Sequence, residues 1–176
     1  MARSLLLAWA TRDDYTIATP TLLADRVDQQ RYFLGQAPAT VARMRSHDEH
    51  WIGLVARDAQ HDMPIGAAEL CRGNLSFLVA PSWRGLGVAR HLAWQVLGRD
   101  AFVRGVKTVT AHVLRSNANS RRVLDTMGFV EVAMHQVDVA PHQRHAVVFL
   151  ERAAHAVVSR PAPGGCEYAS IGFRIG

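Results

Sequence analysis

WRGLGVAR, residues 83–90, is the stretch on which the fold turns. It sets two glycines and two arginines into eight positions, between the strand-like run NLSFLVA (74–80) and a helical pattern. Downstream, Val88, Leu92, Val96 and Leu97, with Ala89 and Ala93 beside them, place one apolar stripe on a helix running to about Arg104. A strand, a glycine loop and a helix make a general anion trap. The first N–H groups of a helix have no partner inside it, and they sit at the positive end of its dipole. Gly85 and Gly87 let a phosphate reach the backbone without meeting a β-carbon. Ala89 keeps the next turn small, and Arg84 adds a positive charge at the mouth.

The known phosphate loops narrow the choice. The dinucleotide pattern G-x-G-x-x-G fails, because its third glycine falls on Arg90. The nucleoside-triphosphate loop fails too, for want of a G-K-[ST] ending. What remains is [Q/R]-x-x-G-x-[G/A], carried by Arg84, Gly87 and Ala89. A glycine turn that merely caps a helix fits the same residues, so a second segment has to decide. NANSRRVLDTMGF (117–129) opens a short helix with an asparagine and closes it with Gly-Phe. Together, over about residues 50–151, the two segments resemble the GNAT superfamily of acyl-CoA-dependent N-acetyltransferases.

The resemblance implies a mixed α/β fold, with a central, mostly antiparallel sheet that holds a splayed strand pair and is flanked by helices. It implies acetyl-CoA as co-substrate, no metal, and direct attack of a primary amine on the thioester. Arg84 and the amides of Gly85, Leu86, Gly87, Val88 and Ala89 would bind the pyrophosphate of coenzyme A. The strand residues Phe77, Leu78 and Val79 would part from their neighbour and pair with the pantetheine arm. A freed N–H there can also polarise the thioester carbonyl. Asn117 and Ser120 match positions bordering the pantetheine end, and Asn117 is equally an N-cap for the second helix.

The sequence departs from the family pattern at two places. Many GNAT enzymes carry a tyrosine acid where this chain has Leu124; a thiol of pKa about 8.5 leaves well enough without it. Bacterial protein acetyltransferases carry a glutamate base at the position of Asn74, which cannot accept a proton. An alkyl ammonium of pKa about 10.4 must lose one before it attacks. If Arg72-Gly73 forms a two-residue turn, Cys71 opposes Asn74 and Glu69 opposes Ser76. The four then share one face, with Glu69 a diagonal step of roughly 7–8 Å from the usual base position. Glu69, acting through a water, is therefore the expected base. A carboxylate in an ordinary surface ion pair is the alternative.

Within the superfamily the likeness is greatest to the catalytic domain of bacterial protein lysine acetyltransferases, through RYF (31–33), DEHWIGLVA (48–56) and VLRSNANSRRVLDTMGF (113–129). A protein lysine is then the first expected acceptor. The alternatives are a small amine (antibiotic, polyamine or amino acid) and a catalytically weakened acyl-CoA-binding regulatory protein. A homodimer fits any of them.

The rest of the chain frames these motifs. At 176 residues it suits one domain, burying about 70% of its unfolded surface. The net charge of +5 rests on nineteen scattered arginines and Lys107, with no basic patch interleaved with aromatics, so no nucleic-acid partner is expected. No run reaches a membrane span of about 18 apolar residues. The opening LLLAWA (5–10) is too short for a signal peptide and reads as a strand of a cytoplasmic protein.

The expected elements are a strand at 4–11, helices between Thr19 and Met44, strands at 51–58, 64–71 and 74–80, and the helix after the glycine loop, capped by Gly105. A strand at 107–114, a helix at 118–127, and a final strand pair at 129–139 and 145–151 follow. A phase slip among the apolar residues of the first of that pair implies a bulge near His135. Residues 1–152 form the domain, and the tail 153–176 can add an edge strand. HDEH (47–50) reads as a solvated loop rather than a metal site. His135, Asp138, His142 and His145 cluster on the last hairpin, which the resemblance implies borders the acceptor site; surface histidines on a hairpin are the ordinary alternative. Cys71 and Cys166 read as free thiols, and Trp83 and Trp94 as packing residues.

Overall fold

The computed structural model describes residues 3–10, 18, 22, 51–104, 108–140, 143–153 and 169–173. Within them run strands β1 (Arg3–Ala10), β2 (Trp51–Asp58), β3 (Pro64–Cys71) and β4 (Asn74–Val79), then helix α1 (Val88–Arg104) and β5 (Thr108–Leu114). Helix α2 (Ala118–Thr126), β6 (Val130–Ala140), β7 (Gln143–Ala153) and β8 (Ala169–Phe173) complete the order. The strands make one sheet, ordered β6-β7-β5-β4-β3-β2-β1-β8. Every adjacent pair is antiparallel except β4–β5, whose parallel pairing follows from the α1 crossover between them.

The β3–β4 hairpin turns on Arg72 and Gly73, both at positive φ (50° and 78°), which matches the right-handed strand twist of a two-residue turn. Its register puts Glu69 opposite Ser76 and Cys71 opposite Asn74, as the sequence spacing predicts. Strand alternation then divides the sheet into two faces. On one, Ala68, Leu70, Leu75, Val79, Val109, Ala111 and Val113 pack with the α1 stripe of Val88, Leu92, Ala93, Val96 and Leu97, all buried. Each fully buried valine or leucine there contributes roughly 1.5–3 kcal/mol. On the other, Val55, Ala67 and Leu78 pack with Ala18 and Leu22, both helical.

One expectation needs adjusting. The register of β6 on β7 slips between Glu131 and Ala133 and again between Asp138 and Ala140, so two irregularities flank His135 instead of one bulge at it. Val130, Val132 and Met134 are exposed along this edge strand. The tail strand β8 pairs antiparallel with β1 at the far edge. The helices expected between Thr19 and Met44 lie, apart from Leu22, outside the described residues, as do HDEH, Gly105, His142 and Cys166.

Candidate active site

The site is made by two strands coming apart. β4 and β5 share one paired position, Asn74 with Thr110, where the Thr110 N–H donates to the Gly73 carbonyl at 2.8 Å. Further along, no registered pair joins them among the described residues. On its other side β4 stays fully paired to β3. The Ala80 N–H donates to Ile65 O at 2.9 Å, which fixes the alternation. The even-numbered residues of β4 turn their backbone groups toward β3, and Leu75, Phe77 and Val79 turn theirs toward the gap. The Val79 carbonyl accepts a hydrogen bond from Arg84 Nε at 3.0 Å, tying the loop back to the strand end.

A cavity of about 760 Å³ lies at this gap and is lined by residues of both faces of the sheet, Val79 and Ala111 from the α1 side and Ser76 and His112 from the other. Phe77, Leu78 and Val79 line it, as do all six residues from Arg84 to Ala89 and both Asn117 and Ser120. Leu124, where a family tyrosine would stand, is buried and presents an apolar wall. Trp83 is buried and also lines the cavity, whereas Trp94 lies under Arg152, its ring centroid 4.5 Å from the guanidinium carbon.

The loop suits an anion on several counts. Gly85 and Gly87 have φ of 76° and 81°, which strains any side chain with a β-carbon. A β-carbon built on either would meet nothing within 4 Å, so both open onto free space. The Gly87 carbonyl accepts from the His91 N–H at 3.0 Å and so starts α1 at the loop itself. The N–H groups of Val88, Ala89 and Arg90 therefore have no partner within the helix, and no acidic residue occupies its first turn. These features make the loop chemically suited to a diphosphate.

The second face carries polar groups beside its apolar cluster. Glu69 is 1% exposed and accepts a 2.7 Å hydrogen bond from Trp51 Nε1. It sits beside Ser76, which lines the cavity, but neither Glu69 nor Asn74 lines it directly. Asn74 instead reaches across the strand parting. Its Nδ2 lies 3.4 Å from Thr110 Oγ1 and 3.4 Å from His112 Nδ1. His112 lines the cavity and stacks at a tilt on Phe149, with centroids 4.2 Å apart. His135 meets the same phenyl ring edge-on at 4.7 Å.

His112 and Ser76 are the functional-looking residues that motif reading passed over. A signal existed: in TVTAHVL (108–114) Thr108, Thr110 and His112 alternate with core residues and so mark one polar face. Among the described residues no group of three or more His, Cys, Asp or Glu is placed to hold a metal. Among them, too, no helix is long and apolar enough to cross a membrane.

Solved structures share this architecture. The spermidine N-acetyltransferase from Vibrio cholerae in complex with CoA and spermine is 21% identical, with a TM-score of 0.65 over 86% of this chain and 96% of that one. A dodecameric structure of the same enzyme is 20% identical, with a TM-score of 0.65 over 90% and 98% of the two chains. A chimera of the Vibrio cholerae spermidine N-acetyltransferase and hSSAT gives 0.66 at 21% identity, over 89% and 99%. No curated protein matches the chain in sequence. At this identity the structures establish the fold; sequence carries the family. The family model for the acetyltransferase (GNAT) family matches residues 6–129, from β1 through the glycine loop to the end of α2. Because that match takes in both the loop that suits a diphosphate and the strand that parts beside it, the chain belongs to the GNAT acetyltransferase family, an acyl-CoA-dependent N-acyltransferase with acetyl-CoA as co-substrate.

Proposed function

We propose that this enzyme acetylates the primary amine of a small molecule, with polyamines the first class to test. The observation that carries the reading is the cleft at the strand gap, lined by both faces of the sheet. Its lining takes in the loop suited to a diphosphate and, on the other face, the polar groups of Ser76 and His112, so that donor and acceptor would enter from opposite faces and meet at the gap. The choice of a small amine draws support from the spermidine N-acetyltransferases of the same fold, one of them bound to CoA and spermine. A protein lysine, expected from the sequence likeness, stays in the same test as the second acceptor. Residues 1–152 serve as the catalytic domain, and assembly with further copies is in keeping with the dodecameric relative in fold.

In this reading the donor supplies a thioester whose carbonyl carbon takes the amine. Gly85, Leu86, Gly87, Val88 and Ala89 hold the pyrophosphate with their amides, at the positive end of α1. Arg84 fastens the loop to Val79 and lends charge to its mouth. The backbone of Phe77 and Val79 pairs with the pantetheine arm, Leu78 walls it, and the Phe77 N–H stabilises negative charge on the thioester oxygen. Asn117 and Ser120 close the pantetheine end. Proton removal belongs to the polar face. Glu69, the expected base, stands beside Ser76 without lining the cleft, so it could take the proton only by way of a water or of a group that does line it.

A thiol-release screen tests the proposal, with acetyl-CoA offered spermidine, spermine, putrescine, free lysine, an aminoglycoside and a lysine peptide. Release with a polyamine and no acetylated peptide is the expected result. Release with the peptide alone moves the acceptor to protein lysine. Calorimetric binding of CoA with no release for any amine leaves only a binding protein.

A further inference from the structure

The proton on the attacking amine needs an acceptor that touches the cleft, and the identity of that group rests on the acetyltransferase reading above. Among the described residues lining the cleft, the ionisable side chains are Arg84, Arg90, Arg122 and His112. A guanidinium stays charged at any working pH and has no lone pair to offer. Imidazole changes charge between about pH 5 and 8. His112 also stands in the right place, two residues past the last β4–β5 pairing, on the face that carries Glu69 and Ser76. Its ring is held on one side by Phe149 and approached at Nδ1 by the Asn74 carboxamide.

We propose that His112 is the catalytic base and Asn74 its positioning residue. A carboxamide carries both a donor and an acceptor. Nδ2 can donate to a bare Nδ1, and after a flip Oδ1 can accept from Nδ1–H, so Asn74 can partner the ring in either charge state. The asparagine that replaces the family's glutamate thus takes on a different task. In the transfer, the amine lone pair forms the N–C bond, and the C–S bond breaks with its electron pair leaving on the thiolate. The amine proton passes to the His112 imidazole. The titratable groups that share this face include Glu69 and Cys71 on β3, His135 on β6 and Glu151 on β7, which pairs with Thr110; Asn74 and Ser76 from β4, Thr110 from β5 and Phe149 from β7 lie there too.

The test is thiol release from acetyl-CoA with the six-acceptor panel above, across pH 5.5 to 9.5 (a working range of about four units spanning the imidazole region). His112→Gln should lower kcat by about 100-fold or more, leave CoA affinity within about threefold by calorimetry, and remove the acid limb of the log kcat profile. Asn74→Asp puts a carboxylate beside the ring, favours the imidazolium, and should move that limb to higher pH. His112→Gln turning over within about threefold of wild type with its acid limb intact overturns the assignment and leaves the acetyltransferase reading standing. Should His112→Gln fail to fold by circular dichroism, an acid limb unmoved in Asn74→Asp overturns it instead. Wild-type protein that binds CoA but releases no thiol overturns both readings.

Discussion

Asn117 Oδ1 accepts from the Ser120 N–H at 3.2 Å, so the side chain that lines the cleft also caps α2. The sequence allowed both roles, and one conformation serves them together. Asn117→Ala should lower stability by about 1 kcal/mol in urea unfolding, with Asn117→Asp restoring most of it. His91, on the second turn of α1, makes a different kind of prediction. Burial pushes its imidazole below the ordinary value of 6.5, so the folded chain favours the neutral ring. The unfolded chain takes up its proton first as pH falls. The associated stability is therefore complete above about 6.5 and lost as the pH drops through the lower folded value. Tm should decline on acidification from pH 7 to about 5, and His91→Gln should flatten that decline in thermal melts.

α1 lies close against the sheet because β3 offers it a glycine. A β-carbon on Gly66 would come within 2.9 Å of Leu92 Cδ1 and 3.3 Å of Val88 Cγ1. Both of those side chains are buried and have little room to move. Gly66→Val should therefore cost roughly 1–3 kcal/mol, read as a fall in the denaturation midpoint. Since α1 also carries the glycine loop, the same substitution should weaken CoA binding measurably by calorimetry. Elements of this kind were legible in the sequence to within a residue or two, because periodicity and turn residues are local signals. The Arg72-Gly73 hairpin is the clearest case, and from it the Glu69–Ser76 register followed. The two slips in β6 were not placed correctly. They answer to pairing with β7 on the far side of a turn, and the apolar phase within β6 alone cannot locate them.

At the scale of the whole molecule, one sheet carries both the strand that leads into the glycine loop and the strand that bears His112, and the cavity lies at the gap between them, β4 and β5. A ligand that fills this gap binds the folded chain alone and must stabilise it. At about 100 times its Kd, CoA should add about 2.7 kcal/mol. For a chain of this length that is a rise in Tm of roughly 5–10 °C. Differential scanning calorimetry with and without CoA checks it, and Gly87→Trp, which sets a bulky side chain on a left-handed backbone position in the loop, should abolish the rise.

The order of the described elements, the glycine loop before α1 and the family were legible in the sequence, because each is written in short-range spacing: two glycines before a helical stripe, an asparagine opening one helix, and alternation in the strands. What only the tertiary structure decided is which polar groups meet across the parted strands. Asn74 and His112 lie 38 positions apart, on strands joined through a crossover helix. Their approach depends on where a parallel pairing ends, and no local pattern along the chain encodes that.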